Sequence, residues 1–199
     1  MSNLQIIGHG GFAKEVEAWA RQKYFISFFV EDEYAGRGAL PLSSIKPDVP
    51  AVIAIGDPQT RRRLADQLKD QKWGTLIHPT AQILDPSTTI IMKGCIICAN
   101  VIITHDAIIQ EHTHVNISTT IGHNANIGRF NTFSPAVNIS GNVKTGDNVY
   151  IGTNASVKEK TYITGNSTIG MGAIVLGDVT QAGTYVGIVK NKNGITKSN

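Results

Sequence analysis

From Ile91 onward the chain repeats every six residues for ninety residues. Stepping by six from Ile91 meets Ile97, Ile103, Ile109, Val115, Ile121, Ile127, Phe133, Ile139, Thr145, Ile151, Val157, Ile163, Ile169 and Val175. Fourteen of these fifteen positions are large and apolar, and only Thr145 breaks the series. Four residues after them comes a small or β-branched residue (Ala107, Thr113, Thr119, Ala125, Val143, Val149, Ala155, Ser167, Ala173), with Asn131 the exception. No helix has a period of six, and an ordinary hairpin sheet would not hold one phase for so long. A parallel β-helix does. Three short strands make a coil of 18 residues, with large aliphatics filling the interior and Gly or Asn serving the turns. Five such coils at the ~4.8 Å inter-strand spacing predict a prism about 24 Å tall.

The chain changes character before the repeat. Up to Ile77 there are 19 charged residues in 77, against 10 in 90 from Ile91 to Thr180. The expected division is residues 1–77, residues 78–189 and a basic tail at 190–199, with the boundary at His78-Pro79 because proline favours an extended residue before it. The first part predicts a small parallel α/β, Rossmann-like unit: strand Leu4–Ile7, helix from about Ala13 to Lys23, strands Ile26–Val30 and Ala51–Ile55, helix Pro58–Lys72 and strand Thr75–Ile77. Its first turn, Gly8-His9-Gly10-Gly11-Phe12-Ala13, is a G-x-G-x-x-A variant whose glycines let backbone N–H groups approach a phosphate at a helix N-terminus. The acidic cluster Glu31-Asp32-Glu33 follows the second strand, where such folds hydrogen-bond a ribose or base. The bland reading is that the glycines serve only tight strand–helix packing.

Composition narrows the classes. With 41% apolar residues the chain can build a core, which excludes general disorder. The longest apolar stretch, Tyr24–Val30, is far short of a membrane span, and Met1-Ser2-Asn3 carries no basic lead-in to a signal peptide. Two cysteines, Cys95 and Cys98, form no disulfide framework, so a reducing cytoplasmic location is expected. The formal charge of +3 equals the three lysines Lys190, Lys192 and Lys197. The body is therefore neutral, which argues against a dedicated nucleic-acid binder.

Four of the six histidines, His105, His112, His114 and His123, fall within nineteen residues. None is in the inward register, which predicts a surface histidine ladder. His105 and His123 are 18 apart and should stack on one outer face, with Asp106 and Asn124 stacked beside them. An exposed histidine is the natural general base at neutral pH. A three-histidine zinc site of the kind found in solenoid carbonic anhydrases is the rival. His78 and His114 are two coils apart, but five residues beyond His114 stands Thr119, so the third ligand is missing. Cys95-x-x-Cys98 has no second pair, and a buried structural role is expected. No metal is expected.

The stretch His114-Val115-Asn116-Ile117, Thr120-Ile121-Gly122-His123-Asn124, Phe130-Asn131-Thr132-Phe133-Ser134-Pro135 and Asn138-Ile139-Ser140-Gly141-Asn142-Val143 resembles the sialic-acid O-acetyltransferase and nucleotide-amino-sugar N-acetyltransferase family of left-handed β-helix enzymes. Gly8–Val16, Ile55-Gly56-Asp57 with Arg61, and His78-Pro79-Thr80-Ala81 extend the likeness over nearly the whole chain. The resemblance implies a homotrimer, with acetyl-CoA between adjacent prisms and the nucleotide of a sugar held by the N-terminal unit. It puts the catalytic base on His123 with Asn124 beside it, and the backbone N–H for the thioester carbonyl on Gly141. Acetyl-CoA contacts fall on Thr132, Gly141, Gly152 and Lys190. Substrate contacts fall on Gly8, Gly10, Gly11, Phe12, Asp32, Gly56, Asp57, Arg61 and Asn116. Relatives usually carry a carboxylate where Asn124 stands, many carry histidine where Phe12 stands, and the usual V-G-x-P-A-K ending reads Val186-Gly187-Ile188-Val189-Lys190.

The implied activity is N-acetylation of a nucleotide-activated amino (dideoxy) sugar in surface-glycan biosynthesis. O-acetylation of a sialic acid or similar hydroxyl is the alternative within enzymes. A hydroxyl leans harder on a strong base, and Asn124 therefore favours the amine. A nucleotide-sugar-binding solenoid without activity is the alternative of a different class.

Overall fold

The computed structural model describes residues 1–190; Lys192, Lys197 and most of the expected basic tail lie outside the described residues. The N-terminal unit contains β1 (Ser2–Ile7), α1 (Gly11–Ala20), β2 (Tyr24–Val30), β3 (Leu40–Pro41), β4 (Ala51–Ile53) and α2 (Pro58–Gln67). Its four strands are parallel in the order β3-β2-β1-β4. The helix α2 starts at Asp57, whose carboxylate accepts the Thr60 N–H at 2.7 Å, with Pro58 just inside the first turn, where its missing N–H costs nothing. Both helices end earlier than the sequence suggests. The strand expected at 75–77 does not join this sheet: Leu76–Ile77 pairs with Ile96–Ile97 and begins the solenoid.

The repeat folds as a parallel β-helix. Two-residue strands stack in three faces of seven, seven and five strands, so the stack is taller than five coils. The first face runs from Leu76–Ile77 to Thr184–Tyr185, the second from Gln82–Ile83 to Ile188–Val189, and the third from Ile90–Ile91 to Tyr162–Ile163. Every pairing is in register at 18 residues across the middle coils, as with Thr120 opposite Asn138. The hexad aliphatics form one continuous interior, from Ile97 and Ile103 to Val175.

Two details show how the corners are made. Every sixth residue from Asn100 to Asn166 lies in the left-handed region with φ between 54° and 60°, and six of these twelve are asparagine, whose short polar side chain tolerates that conformation. The two exceptions in the hexad pattern also find each other. Asn131 donates its amide N–H to the Thr145 hydroxyl inside the prism, while its carbonyl oxygen accepts the Val149 N–H at 2.6 Å. Each polar intruder thus satisfies the other where neither could reach water.

The N-terminal unit sits on the first face and on the edge between the third face and the first. Ile96 and Cys98 from the solenoid pack with Leu4, Ile6 and Val16, and Phe130 packs with Ile7, Phe29 and Leu64. No helix of the described residues is long and apolar enough to cross a membrane.

Candidate active site

The edge between the second and third faces carries one chemical column. His105 and His123 stack with ring centroids 5.5 Å apart and planes 12° from parallel, as their 18-residue spacing predicts. The His123 Nδ1 lies 2.9 Å from the Asn124 Oδ1, and the His105 Nδ1 lies 2.7 Å from the Asp106 Oδ2. An amide oxygen can only accept, so Nδ1 of His123 carries the proton and Nε2 keeps its lone pair. One coil further on is Gly141. It needs no unusual φ; instead, a Cβ there would stand 2.5 Å from the His123 Nε2. Glycine is required by the imidazole's position. The ladder takes the N–H of Ser140 and of Asn142, on Val157 and His123 carbonyls. Among the described residues the Gly141 N–H has no acceptor. A lone pair and a free N–H donor therefore meet at one corner, the pair of functions acyl transfer needs.

Lys190 follows the last strand of the second face, Ile188–Val189, which stacks on Ile174–Val175 and so on down to Thr120–Ile121. It therefore caps this same edge, four strand spacings or about 19 Å above the level of His123, with Lys158 between. Asn116 and Gly152 lie on a different edge, between the first and second faces, 36 residues apart. One protomer does not bring them to His123. Gly152 also has a local reason, since a Cβ there would lie 2.6 Å from the Met171 nitrogen.

The glycine turn opens a second site, a cleft of about 560 Å³ lined by Gly8, Gly10, Gly11, Phe12, Glu31 and Gly56 among others. Gly8 fits the packing explanation: its φ is +114° and a Cβ would press on the Ala54 carbonyl at 2.9 Å. Gly10, Gly11 and Gly56 do not, because a Cβ on any of them meets nothing within 4 Å. Their open side faces the cleft at the start of α1. Tyr34 and Arg37 also line it, and sequence reasoning missed both. Arg37 (φ +50°) lies between Gly36 and Gly38, both also at positive φ; the Gly-Arg-Gly spelling was the available signal.

Four expected ligand contacts have other work. Arg61 is fully buried. Its Nε donates to the His112 carbonyl, Nη1 to those of Ile55 and Gly56, and Nη2 to those of Phe130 and Asn131. All five donors are used, so Arg61 is a bolt between the N-terminal unit and the solenoid. Burial pushes its guanidinium down to about 9, still charged at neutral pH. Thr132 is buried on the first face and donates its hydroxyl to the Gly56 carbonyl at 2.7 Å; it is part of the same junction and faces away from the His123 edge. Asp57 caps α2. Asp32 accepts the Ser43 N–H at 2.9 Å and lines a separate depression with Leu42 and Ile45. Hydrogen bonds from Ser43 hold its carboxyl below the usual range. Glu31 lines the cleft instead, paired by both carboxylate oxygens with Arg63.

The histidine ladder is also corrected. His112 and His114 are buried beneath the N-terminal unit: His112 stacks on Phe130 at 5.1 Å and meets the Trp73 edge at 4.7 Å, and His114 lies 5.1 Å from Phe12. Outward from the prism means inward to the junction there. Cys95 is buried within the prism and donates to the Gln110 carbonyl, and burial pushes its thiol up to about 12. Among the described residues no three His, Cys, Asp or Glu side chains are grouped to hold a metal ion.

Comparison with known proteins agrees with this two-part build. Residues 3–68 match the PglD N-terminal domain. GDP-perosamine N-acetyltransferase of Escherichia coli O157:H7 is 32% identical over 109 residues, covering 54% of this chain and 48% of that one. The chain thus aligns with about half the length of this curated relative. The acetyltransferase domain of PglB from Neisseria gonorrhoeae FA1090, also solved in complex with acetyl coenzyme A, is 26% identical; the match covers 93% of this chain and 96% of that domain, with a TM-score of 0.84. PerB from Caulobacter crescentus, solved with CoA and GDP-perosamine, shares the fold at 23% identity and a TM-score of 0.83, over 93% and 94% of the two chains. With a PglD-type N-terminal unit docked on a parallel β-helix that carries the His123–Gly141 corner, the chain is similar in both of its parts to nucleotide-amino-sugar N-acetyltransferases.

Proposed function

We propose that this chain transfers the acetyl group of acetyl-CoA to the amino group of a nucleotide-linked sugar, as a cytoplasmic homotrimer. One observation carries the reading: the His123 lone pair and the unpaired Gly141 N–H converge on one exposed corner. The sugar nitrogen attacks the thioester carbonyl carbon. His123 Nε2 takes a proton from that nitrogen as the C–N bond forms. The Gly141 N–H holds the oxyanion, a single donor of a type worth about 2.7–4 kcal/mol in acyl transfer. Collapse breaks the C–S bond, and the imidazolium returns its proton to the CoA sulfur. Lys158 and Lys190, stacked above His123, suit the phosphates of an acetyl-CoA lying along the edge.

The cleft at the glycine turn would hold the nucleotide, and the open faces of Gly10, Gly11 and Gly56 support its phosphates approaching there. Asn116 and Gly152 occupy an edge that could serve His123 only from a neighbouring protomer, which supports the trimer. Asn124 supports an amine acceptor: an amide orients the imidazole but lacks the charge that stabilises an imidazolium.

The test is thiol release from acetyl-CoA with UDP-, dTDP-, GDP- and CMP-linked amino sugars. Turnover by the parent and a loss of ~10²–10⁴ in His123→Ala are expected. Turnover only with hydroxyl acceptors, or none at all, would overturn the reading. Sedimentation at micromolar concentration should give a trimer, and a monomer would remove the shared-edge site.

A further inference from the structure

Acetyl transfer with His123 as the base leaves a second, better-supported imidazole unused directly beneath it. His105 occupies the same corner one coil earlier, with its Nδ1 held by the Asp106 carboxylate at 2.7 Å and both side chains about half exposed, 52% and 46%. The two corners are locked together, since the Asn124 N–H donates to the His105 carbonyl at 3.1 Å. Both rings are anchored at Nδ1, and their planes differ by only 12°. Their Nε2 atoms therefore point to the same side, separated by close to the 5.5 Å between the rings. Parallel in-plane lone pairs at that separation are joined by a short chain of waters lying in front of both rings.

Proton balance gives this pair a task, on the N-acetyltransferase reading above. At neutral pH an aliphatic sugar amine arrives as an ammonium, R–NH₃⁺. It must lose one proton to free the lone pair and a second when the C–N bond forms. The departing CoA sulfur consumes only one. The sum is R–NH₃⁺ plus acetyl-CoA giving R–NH–acetyl, CoA–SH and H⁺. His123 must therefore unload a proton before it can take the next.

We propose that His105 is the proton-relay residue through which His123 unloads. The first ammonium proton passes from His123 Nε2 through a short water chain to His105 Nε2, and from there to solvent, while Asp106 keeps the His105 Nδ1–H in place. His105 touches neither substrate and acts only through His123. The difference between the two corners has a direction: the ring that must give up a proton is backed by a neutral amide, and the ring that must attract it is backed by a carboxylate. The other charged groups on this edge are Asp85 on the corner below, Lys158, Glu159 and Lys160 one coil above Gly141, and Asp178 and Lys190 higher still.

The test compares kcat from pH 6 to 9.5 for the parent, His105→Gln and Asp106→Asn, with saturating acetyl-CoA and an amino-sugar acceptor, with and without imidazole. At pH 7 His105→Gln should lose about tenfold and Asp106→Asn less. The loss should shrink to below about twofold above pH ~9, where the amine arrives neutral, and imidazole should restore the rate at pH 7. A structural role would move neither readout. Unchanged kcat in His105→Gln at pH 7, or an equal loss at every pH that imidazole leaves in place, overturns the relay. A parent inactive toward every amino sugar overturns the N-acetyltransferase reading itself, and the relay with it, so the two failures are told apart by the parent's own rate.

Discussion

Mild acid should loosen the junction between the N-terminal unit and the solenoid, with His112 as the main sensor. Its ring is 4% exposed, its Nδ1 has no hydrogen-bond partner, and no carboxylate bonds to it. Burial, with the positive Arg61 and Lys93 adding to it, pushes its imidazole from 6.5 down to about 4. His114, held low by burial, Arg61 and His112, acts in the same direction. A group whose folded value is depressed contributes stability that is complete above its unfolded value. Here that contribution is full above pH ~6.5 and is lost as the pH falls toward 4. For His112 the difference is worth about 3 kcal/mol, a large share of a typical domain's stability. The control is His112→Phe, which keeps a ring between Phe130 and Trp73 and cannot titrate. Urea unfolding at fixed protein concentration, at pH 8, 6.5, 5.5 and 4.5, measures both proteins under comparable assembly. At pH 8 the variant should lie within about 1.5 kcal/mol of the parent, and at pH 4.5 the difference should have moved about 2.5 kcal/mol in its favour. Parallel curves from pH 8 to 4.5 would refute a buried neutral His112.

Three further outcomes follow from the site and the core. Gly141→Ala should abolish most turnover, because the new methyl would stand 2.5 Å from the His123 Nε2; near-parental kcat would show that the ring has another resting place. Asn131→Ala and Thr145→Val should each cost about 1–3 kcal/mol through stranded partners, and the double variant should cost at least ~0.5 kcal/mol less than the two losses added, in thermal or urea melts. Asn124→Asp puts a charge beside the His123 Nδ1–H and should raise kcat several-fold, more for a hydroxyl acceptor, with a larger gain in an Asp106→Asn background; an unchanged or lower rate in both backgrounds would mark the asparagine as fitted to this site.

The solenoid is legible from the chain because its rule is local and rigid: Ile121, Ile139 and Val157 are aliphatic since each fills the same interior position. The stacking of His123 on His105 follows from the same count of 18. What the period cannot carry is what comes to lie against the prism. His112 and His114 read as surface residues because both lie outside the inward register, and only the docked N-terminal unit buries them. Arg61 has the same cause, since its acceptors at His112, Phe130 and Asn131 are 51, 69 and 70 residues away. The hydrogen bonds of Asp32 and Asp57 are hidden for a different reason: a carboxylate after a strand looks alike whether it meets a ligand or caps the next turn. Asn131 and Thr145 were visible as breaks in the pattern, but not as partners, because the pair bridges two coils inside the prism.

A coil of fixed length gives this molecule a staircase. Removing or copying one 18-residue step would leave every strand pair in register and shift all that lies above it by a single storey. His105-Asp106 under His123-Asn124 is what such a copied landing looks like, two versions of one corner with different second residues. A reactive centre in this fold can therefore climb or descend in whole steps while the wall around it stays intact. The N-terminal unit has no such freedom, because Arg61 fastens it to the carbonyls of particular storeys. A step inserted below His112 would carry the bolt holes upward and part them from the first-face contacts at Ile96 and Cys98, whereas one inserted above Thr168, beyond the contacts of Gln59 with Asn166 and Arg62 with Asp147, would leave the junction untouched and lengthen only the edge that leads to Lys190.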